Sequence, residues 1–480
     1  MRHARCALAA LALCTISLGA SCGGDDGATA VDAATDGTID APSGDIAAQL
    51  AGLAEVDHLV ERPTQWAGYR YFEIWFRQPV DHANPGGATF LQYATLIHRD
   101  AAAPMVLLHT GYGNWYYDYP GEVTQLLHAN QLVIEHRFFR TSRPSGDAAA
   151  WAFLTIEQAA ADDHLIAAAM RRLYRGTFVE TGASKGGMTS IYHRRFWPDD
   201  VDVTVAYVAP ISFAAPDYRY EPYLEGIGPA ACKANLRALQ VELLTNRRAA
   251  LSSRAQASAA ANGDQYTRVA LDAAVESAVV SLEWAFWQFW GGPYCGSIPA
   301  VTATDAAVYA FLDQVSPVNS SADADLAEFE AYYYQSLGQL GYPGTMDEHL
   351  AGLVTFDGAA YDGAYPQGVA LPTYSATPMA DVDEWVRASA DRMVFLYGEW
   401  DPWSGGMFEP TLGPDVLKVV APQGAHGSGI SALAPADRDR VLGKLGEWTG
   451  VTPDTSVWGK PRPALREPRP PRPPRPLAGW

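Results

Sequence analysis

The stretch from residue 177 to residue 187 reads Thr177-Phe178-Val179-Glu180-Thr181-Gly182-Ala183-Ser184-Lys185-Gly186-Gly187. Its first five residues favour a β-strand, and a helical pattern runs from Gly186 to Trp197, so the serine falls on a sharp turn between the two. Such a turn holds the hydroxyl of Ser184 clear of the sheet, and the flanking glycines let strand and helix approach closely. Gly-x-Ser-x-Gly also occurs by chance in glycine-rich loops, so the rest of the chain must decide whether Ser184 is a nucleophile.

A serine nucleophile needs a histidine base, and the histidine needs an acid that fixes its tautomer. Behind a strand-turn-helix elbow these partners follow in the order Ser, Asp or Glu, His, each just past a strand. Asp401 follows the apolar run 392–398, and His426 lies in a glycine-rich loop after the run 417–422. We therefore predict a triad of Ser184, Asp401 and His426, with Glu399 as the alternative acid.

The order of strands and helices predicts the fold class. Residues 71–77 and 89–98 alternate like an antiparallel pair, and short apolar runs at 105–109, 132–136, 177–181 and 203–208 are typical of buried parallel strands. Helical patterns lie between them, at 121–130, 157–174 and 186–197. This alternation predicts an α/β-hydrolase: a doubly wound, mostly parallel sheet with helices on both faces.

The strand pattern stops after residue 210, and helices alone follow until strands return before Asp401. We predict a helical cap domain at 211–381, inserted between the sixth and seventh strands of a hydrolase domain at 56–210 and 382–455. Residues 23–55 have few bulky apolar groups and repeated aspartates, so we expect a disordered acidic tether. The Pro/Arg-rich stretch at 456–480 is predicted to be a disordered tail.

The N-terminus has the parts of a secretory signal peptide at 1–22: a positively charged start, an apolar stretch from Cys6 to Leu18 and small residues before Cys22. We expect an exported protein, either secreted or anchored to the cell envelope. The small residues before Cys22 resemble a bacterial lipoprotein signal, in which that cysteine is lipidated. Gly19 stands where such signals usually carry Leu, so ordinary cleavage without lipidation stays open.

Once the signal is set aside, Cys232 and Cys295 remain, and an exported chain with two cysteines favours one disulfide between them. Two buried free thiols are the alternative.

An unusually aromatic helix is predicted in the cap, at residues 282–290. Because both of its faces are aromatic, both must be buried. We expect one face to pack into the cap and the other, with Trp284 and Trp287, to line a substrate pocket for a flat apolar side chain such as proline.

An oxyanion hole needs two backbone N–H groups directed at the developing negative charge. One is expected from Lys185, the residue after the nucleophile, and the other from the loop after the third strand, where Gly111 and Tyr112 are the candidates.

Composition excludes several other functions. A net charge of −20 argues against nucleic acid as a partner, because binding phosphates needs a basic surface. The chain has no His-Glu-x-x-His motif, and Lys185 lies too early for a phosphate-binding loop, so we predict no metal and no cofactor.

Several motifs together resemble the secreted bacterial tripeptidyl and tetrapeptidyl aminopeptidases, serine peptidases distantly similar to prolyl carboxypeptidase and dipeptidyl peptidase II. The resemblance spans residues 54–451 and rests on Gln-Pro-Val-Asp-His at 78–82, Glu-His-Arg-Phe-Phe at 135–139, the elbow at 182–188, Val203 to Pro210, Trp284 to Trp287, and the loop 398–403. It implies an α/β-hydrolase with a helical cap that releases short peptides, with a preference for proline, from free N-termini. The same triad would also suit an esterase or lipase, and a non-catalytic surface lipoprotein could retain the fold.

An aminopeptidase must hold the free ammonium of its substrate with a carboxylate. Glu135, beside the end of the fourth strand, and Glu399, two residues before the acid, are the candidates. Either glutamate could instead pair with a local base such as Arg137.

Overall fold

The computed structural model describes residues 44–459 except 117, 145, 345 and 346. Its centre is a nine-stranded sheet with the order β1-β2-β3-β5-β4-β6-β7-β8-β9. The strands are β1 (Val56–Arg62), β2 (Arg70–Pro79), β3 (Thr89–His98), β4 (Met105–His109), β5 (Asn130–Ile134), β6 (Phe178–Ala183), β7 (Val203–Tyr207), β8 (Met393–Gly398) and β9 (Val416–Ala421).

The sheet has an antiparallel edge and a parallel centre. The pairs β1–β2, β2–β3 and β3–β5 are antiparallel, and every pair from β5 through β4, β6, β7 and β8 to β9 is parallel. All residues of β4, β5 and β8 are buried, as expected for parallel strands covered on both faces. The sequence prediction missed β1, whose half-exposed residues give a weak pattern.

The α-helices of the described residues are α1 (Ile46–Ala51), α2 (Glu122–Leu126), α3 (Ile156–Arg171), α4 (Lys185–Phe196), α5 (Tyr220–Gly226), α6 (Ala230–Asn246), α7 (Arg248–Asn262), α8 (Leu271–Val280), α9 (Leu282–Phe289), α10 (Asp305–Val315), α11 (Asp323–Gln335), α12 (Thr377–Ser389) and α13 (Pro435–Thr449). Helices α2 and α13 cover one face of the sheet. Helices α3, α4 and α12 cover the other. This is the doubly wound architecture of an α/β-hydrolase, and the predicted fold class is confirmed.

Helices α5 to α11 fall between β7 and β8 and share one apolar cluster. That cluster also takes in Tyr112 and Trp403 from loops at the carboxyl ends of the strands, so the inserted helices lie over that end of the sheet. Cys232 on α6 and Cys295 in a 3-10 turn after α9 form a disulfide.

Three predicted boundaries need correction. Residues 46–51 of the predicted tether form α1, because Asp45 caps the helix and Ile46 and Leu50 are buried against the sheet. The predicted tail begins too early, since Val457 and Trp458 pack against the core. The cap boundary at residue 381 falls inside α12, a helix that packs on the sheet side with α4.

With β1 included, the cap is inserted after the seventh strand rather than the sixth. The predicted signal peptide, Cys22 and most of the predicted tail lie outside the described residues. Within the part of the chain that the structure describes, no helix is both long and apolar enough to span a membrane.

Candidate active site

Ser184 stands on a strained turn between β6 and α4. Its backbone has φ +57° and ψ −126°, a conformation that non-glycine residues rarely adopt. A Cβ atom at Gly182 would lie 2.3 Å from the carbonyl carbon of Gly186, and one at Gly186 would lie 2.1 Å from the carbonyl oxygen of His109. The glycines of the motif are therefore required by the close approach of β6, α4 and β4.

His426 and Asp401 meet as the sequence predicted. Nδ1 of His426 lies 2.7 Å from Oδ2 of Asp401, and Asp401 is fully buried. The other Asp401 oxygen accepts the N–H of Trp403, which holds the carboxylate in place. Nε2 of His426 is buried and has no hydrogen-bond partner among the described residues, so its lone pair is available as a base.

Glu399, the alternative acid, does not reach His426. Its side chain is exposed, and Oε2 accepts the backbone N–H of Gln423. Among the described residues, Asp401 is therefore the carboxylate that pairs with the histidine.

The two candidate oxyanion groups in the loop after β4 differ in the structure. The N–H of Tyr112 donates to Oγ1 of Thr110 over 3.0 Å, so this amide is already engaged and the prediction for it is wrong. A Cβ at Gly111 (φ +75°) would lie 2.7 Å from the backbone nitrogen of Gly186, which puts Gly111 directly against the elbow. Gly111 therefore remains the candidate amide of this loop.

Tyr112 is nevertheless at the site through its phenol. Burial raises the pKa of Tyr112 well above its ordinary value, and the neighbouring side chain of Ser184 partly opposes this rise. The ring packs against Tyr332 and Phe329 of α11. The hydroxyl is therefore a protonated donor close to the reacting serine.

The Lys185 side chain fixes the same loop. Its Nζ donates to the carbonyl oxygen of Gly111 over 2.6 Å and lies over the rings of Tyr112 and Phe139. Burial lowers the pKa of Lys185 well below its ordinary value. The lysine thus ties the loop after β4 to the first turn of α4.

The carboxylate of Glu135 is already occupied by groups of the fold, so the structure does not support it as a ligand for a substrate ammonium. One oxygen accepts four hydrogen bonds from the backbone and side-chain groups of Thr141 and Ser142, and the other accepts the N–H of Asn114 over 2.9 Å. Its carboxylate is buried and fully used to shape two loops. The exposed Glu399 is held by Gln423. Thr141 and Ser142 follow Glu135 by only six and seven residues, but the sequence pattern does not show that the loop turns back onto the carboxylate, so the prediction for Glu135 is wrong.

The two tryptophans that were predicted to line the substrate pocket lie in different surroundings. Trp284 packs edge-to-face on Trp403, whose ring in turn approaches that of His426. Trp287 is completely buried in the cap, against Trp400 and Gly228. Trp284 therefore lies at the site, whereas Trp287 is a core residue and the prediction for it is wrong.

One wall of the site was missed by the sequence analysis. Phe329 and Tyr332 of α11 contact Tyr112, and Glu328 shares their side of the helix because residues three and four apart are neighbours. Oε1 of Glu328 is buried, has no hydrogen-bond partner in the part of the chain that the structure describes, and would lie 3.2 Å from a Cβ on Gly113. The signal in the sequence was the spacing of residues 325, 328, 329 and 332.

Behind the elbow lies a buried polar cluster of His109, Glu180 and His193, whose possible ligand atoms lie within 4.8 Å of one another. Oε1 of Glu180 is 2.7 Å from His109 and 2.8 Å from His193, separations of hydrogen bonds rather than of ligands around an ion. Nε2 of His193 is also 2.9 Å from Asp200. The cluster ties β4, β6 and α4 together below Ser184.

A strained serine elbow and a buried His–Asp pair at the carboxyl ends of a doubly wound sheet define a serine hydrolase of the α/β-hydrolase class. The family model described as PS-10 peptidase S37 matches residues 39–466, and the chain belongs to this family. The prolyl tri/tetrapeptidyl aminopeptidase of Streptomyces mobaraensis is 38% identical over 422 residues, which cover 87% of this chain and 87% of that protein. The protein is therefore a serine peptidase, and its substrates are peptides.

Solved structures with lower similarity include a proline iminopeptidase of Mycobacterium smegmatis, 14% identical with a TM-score of 0.33, covering 78% of this chain and 98% of that chain. An epoxide hydrolase from an endophytic Streptomyces is 12% identical with a TM-score of 0.34, covering 80% of this chain and 96% of that chain. The fold assignment rests on the sheet order and the elbow of this chain itself.

Proposed function

We propose that this serine peptidase is an aminopeptidase that releases short peptides, tripeptides or tetrapeptides with a preference for proline, from free N-termini. The relative in Streptomyces mobaraensis, named for this activity, supports the proposal. The observation on this chain that carries it is the carboxylate of Glu328, which lies beside the loop after β4 and has one buried oxygen without a hydrogen-bond partner among the described residues.

Glu328 suits a substrate ammonium by position and by charge. It lies one helical turn, about 6 Å along the axis, from Tyr332, which contacts Tyr112 at Ser184. No ion pair within 4.0 Å joins Glu328 to a basic side chain of the described residues, although Arg140 and Arg143 are near enough to oppose the rise in its pKa that burial causes. Three extended residues span about 10 Å, so an N-terminus near Glu328 fits release of a short peptide.

In the proposed mechanism, Oγ of Ser184 attacks the carbonyl carbon of the scissile peptide bond while its proton passes to Nε2 of His426. Asp401 holds His426 in the correct tautomer and stabilises the imidazolium. The oxyanion accepts hydrogen bonds from the amide of Lys185, from the amide of Gly111 and from the hydroxyl of Tyr112. His426 then protonates the leaving amine, and water hydrolyses the acyl-enzyme by the reverse sequence of proton transfers.

The test compares an unblocked Ala-Ala-Pro coumarin amide with its N-acetylated form. We expect acetylation to lower kcat/KM at least 10-fold, because the acetyl group removes the positive charge that the cleft holds. Equal turnover of both substrates would refute the aminopeptidase proposal while leaving the peptidase assignment intact. Product analysis on an unblocked peptide with an internal proline then gives the length released.

The triad has its own test in Ser184→Ala, for which we expect kcat to fall about 10⁴- to 10⁶-fold and labelling by a fluorophosphonate to disappear. We expect Asp401→Asn to lower kcat by a smaller factor than Ser184→Ala or a substitution of His426. Persistent labelling of folded Ser184→Ala protein would exclude Ser184 as the nucleophile.

We also propose that the protein is exported and that residues 1–22 are the signal peptide, on the sequence pattern alone. Mass spectrometry of the mature N-terminus distinguishes a lipidated Cys22 from ordinary cleavage, and an intact N-terminus in the cytoplasm would refute export.

A further inference from the structure

Gln288 on α9 presents an unusual side chain beside the site. It is 1% exposed, yet neither its amide nitrogen nor its amide oxygen has a hydrogen-bond partner among the described residues. A buried amide without partners is costly, because it gives up its hydrogen bonds to water and gains none in return. Native proteins keep few such groups, and each one calls for an explanation.

The helix geometry places Gln288 on the side of α9 that faces the catalytic histidine. Successive residues of an α-helix are 100° apart, so Gln288 lies on the arc between Trp284 and Phe289. Trp284 contacts Trp403, whose ring lies 6.2 Å from that of His426, and the ring of Phe289 lies 6.4 Å from His426. Trp284 and Phe289, the two neighbours of Gln288 on this arc, thus both face the side of the site that holds His426.

The backbone of Gln288 confirms how close this arc is to the triad. Its carbonyl oxygen, near the C-terminal end of α9, accepts the N–H of His426 over 2.9 Å. The indole N–H groups of Trp284 and Trp403 are likewise buried without partners in the part of the chain that is described. Donors and an acceptor on this side of the cap therefore have no hydrogen-bond partner among the described residues.

We propose that the Gln288 amide is a specificity-determining group that hydrogen-bonds a peptide group of the substrate next to the scissile bond. A primary amide offers one acceptor and two donor hydrogens, which match the N–H and C=O of a peptide group. Trp284 and Trp403 are largely buried beside this position, so a peptide group bound there would supply the hydrogen bonds that the amide does not find among the described residues. The proposal rests on the proposed catalytic roles of Ser184 and His426.

The test uses Gln288→Leu and Gln288→Met with Gln240→Leu as the matched control. Gln240 is also a fully buried glutamine of the cap, but its amide is paired: Nε2 donates to the carbonyl oxygens of Val279 and Val280, and Oε1 lies 3.0 Å from His349. Each variant is assayed for kcat/KM on Ala-Ala-Pro coumarin amide and on p-nitrophenyl acetate, and its Tm is measured without substrate.

For both Gln288 variants we expect the ratio of peptide to ester kcat/KM to fall about 10- to 100-fold, with a Tm equal to or above that of the wild type. For Gln240→Leu we expect an unchanged ratio and a lower Tm, because its partners lose their hydrogen bonds. An unchanged ratio in the Gln288 variants overturns the proposal. So does a fall in Tm as large as that of Gln240→Leu, because it would mean that the amide is satisfied within the fold.

Failure of the proposed function gives a different result. Loss of peptide and ester turnover in Ser184→Ala checks the catalytic serine separately. Equal turnover of free and acetylated peptides would refute the aminopeptidase proposal. It would leave the role of Gln288 open to its own test, which is the ratio of kcat/KM on the peptide to kcat/KM on the ester.

Discussion

The backbone N–H and the side-chain hydroxyl of Tyr112 face different neighbours. The backbone N–H donates to Oγ1 of Thr110, whereas the hydroxyl lies near the side chain of Ser184. Lys185 fixes the carbonyl of the preceding residue, Gly111, so the whole loop is anchored to the first turn of α4. At the scale of single residues, the site is thus prepared by contacts between two segments that are distant in the sequence.

The first prediction concerns Tyr112→Phe. We expect kcat on a peptide amide to fall about 100-fold with little change in KM, because the hydroxyl acts on charge that develops in the transition state. The ring contacts with Phe329 and Tyr332 are kept by phenylalanine, so Tm should stay near that of the wild type. An unchanged kcat would show that the hydroxyl only positions Ser184 in the resting enzyme.

The second prediction concerns Glu328→Gln. We expect kcat/KM for a free-amine peptide to fall about 10- to 100-fold, the cost of losing one charged hydrogen bond, while the N-acetylated peptide is unaffected. Glu330→Gln is the control on the same helix, because Glu330 pairs with Arg143 and Arg268 instead. Equal losses on both substrates would contradict a role in binding the ammonium.

At the scale of elements, α9 connects the cap to the triad. Its last turn holds the His426 loop through the carbonyl of Gln288, and Cys295 follows in the next turn, bonded to Cys232 of α6. The hydrogen bond at Gln288 and the disulfide at Cys295 therefore hold the two ends of the segment 288–295. If this part of the cap loses its order, we expect the loop that carries His426 to become less well positioned, because it is held by the carbonyl oxygen of Gln288.

The third prediction is that Cys295→Ser lowers the free energy of unfolding by about 4 kcal/mol, since the disulfide closes a loop of 63 residues. Denaturant unfolding with and without reductant checks it: reductant should destabilise the wild type and leave the variant unchanged. A variant as stable as the oxidised wild type would show that cap packing alone holds α6 and α9 together.

At the scale of the whole molecule, buried ionisable groups make stability depend on pH. Burial opposes the charged form of His193, but Glu180 and Asp200 outweigh it and raise the pKa of His193 to about 10. Burial also raises the pKa of Asp163, which faces His109 and His193, to about 6. These groups join β4, β6 and α4, so their ionisation acts on the centre of the fold.

The fourth prediction follows from the sign of the His193 shift. A histidine pKa that is higher in the folded state stabilises the fold fully below about 6.5, and this contribution is lost as the pH rises through about 10. We expect the free energy of unfolding to decline between these values, and less steeply in His193→Gln. Urea unfolding at a series of pH values measures both slopes, and identical slopes would contradict the prediction.

The sequence by itself determined the fold class, the peptidase family and the order of Ser184, Asp401 and His426, because strand periodicity, turn glycines and chain order are local properties. The tertiary structure alone decided which side chains are already occupied. Glu135 is satisfied by two loops, Trp287 is buried in the cap, and α1 packs where a tether was expected. Glu328 and Gln288 stand out for the same physical reason: whether a buried polar group has a partner depends on segments that only folding brings together.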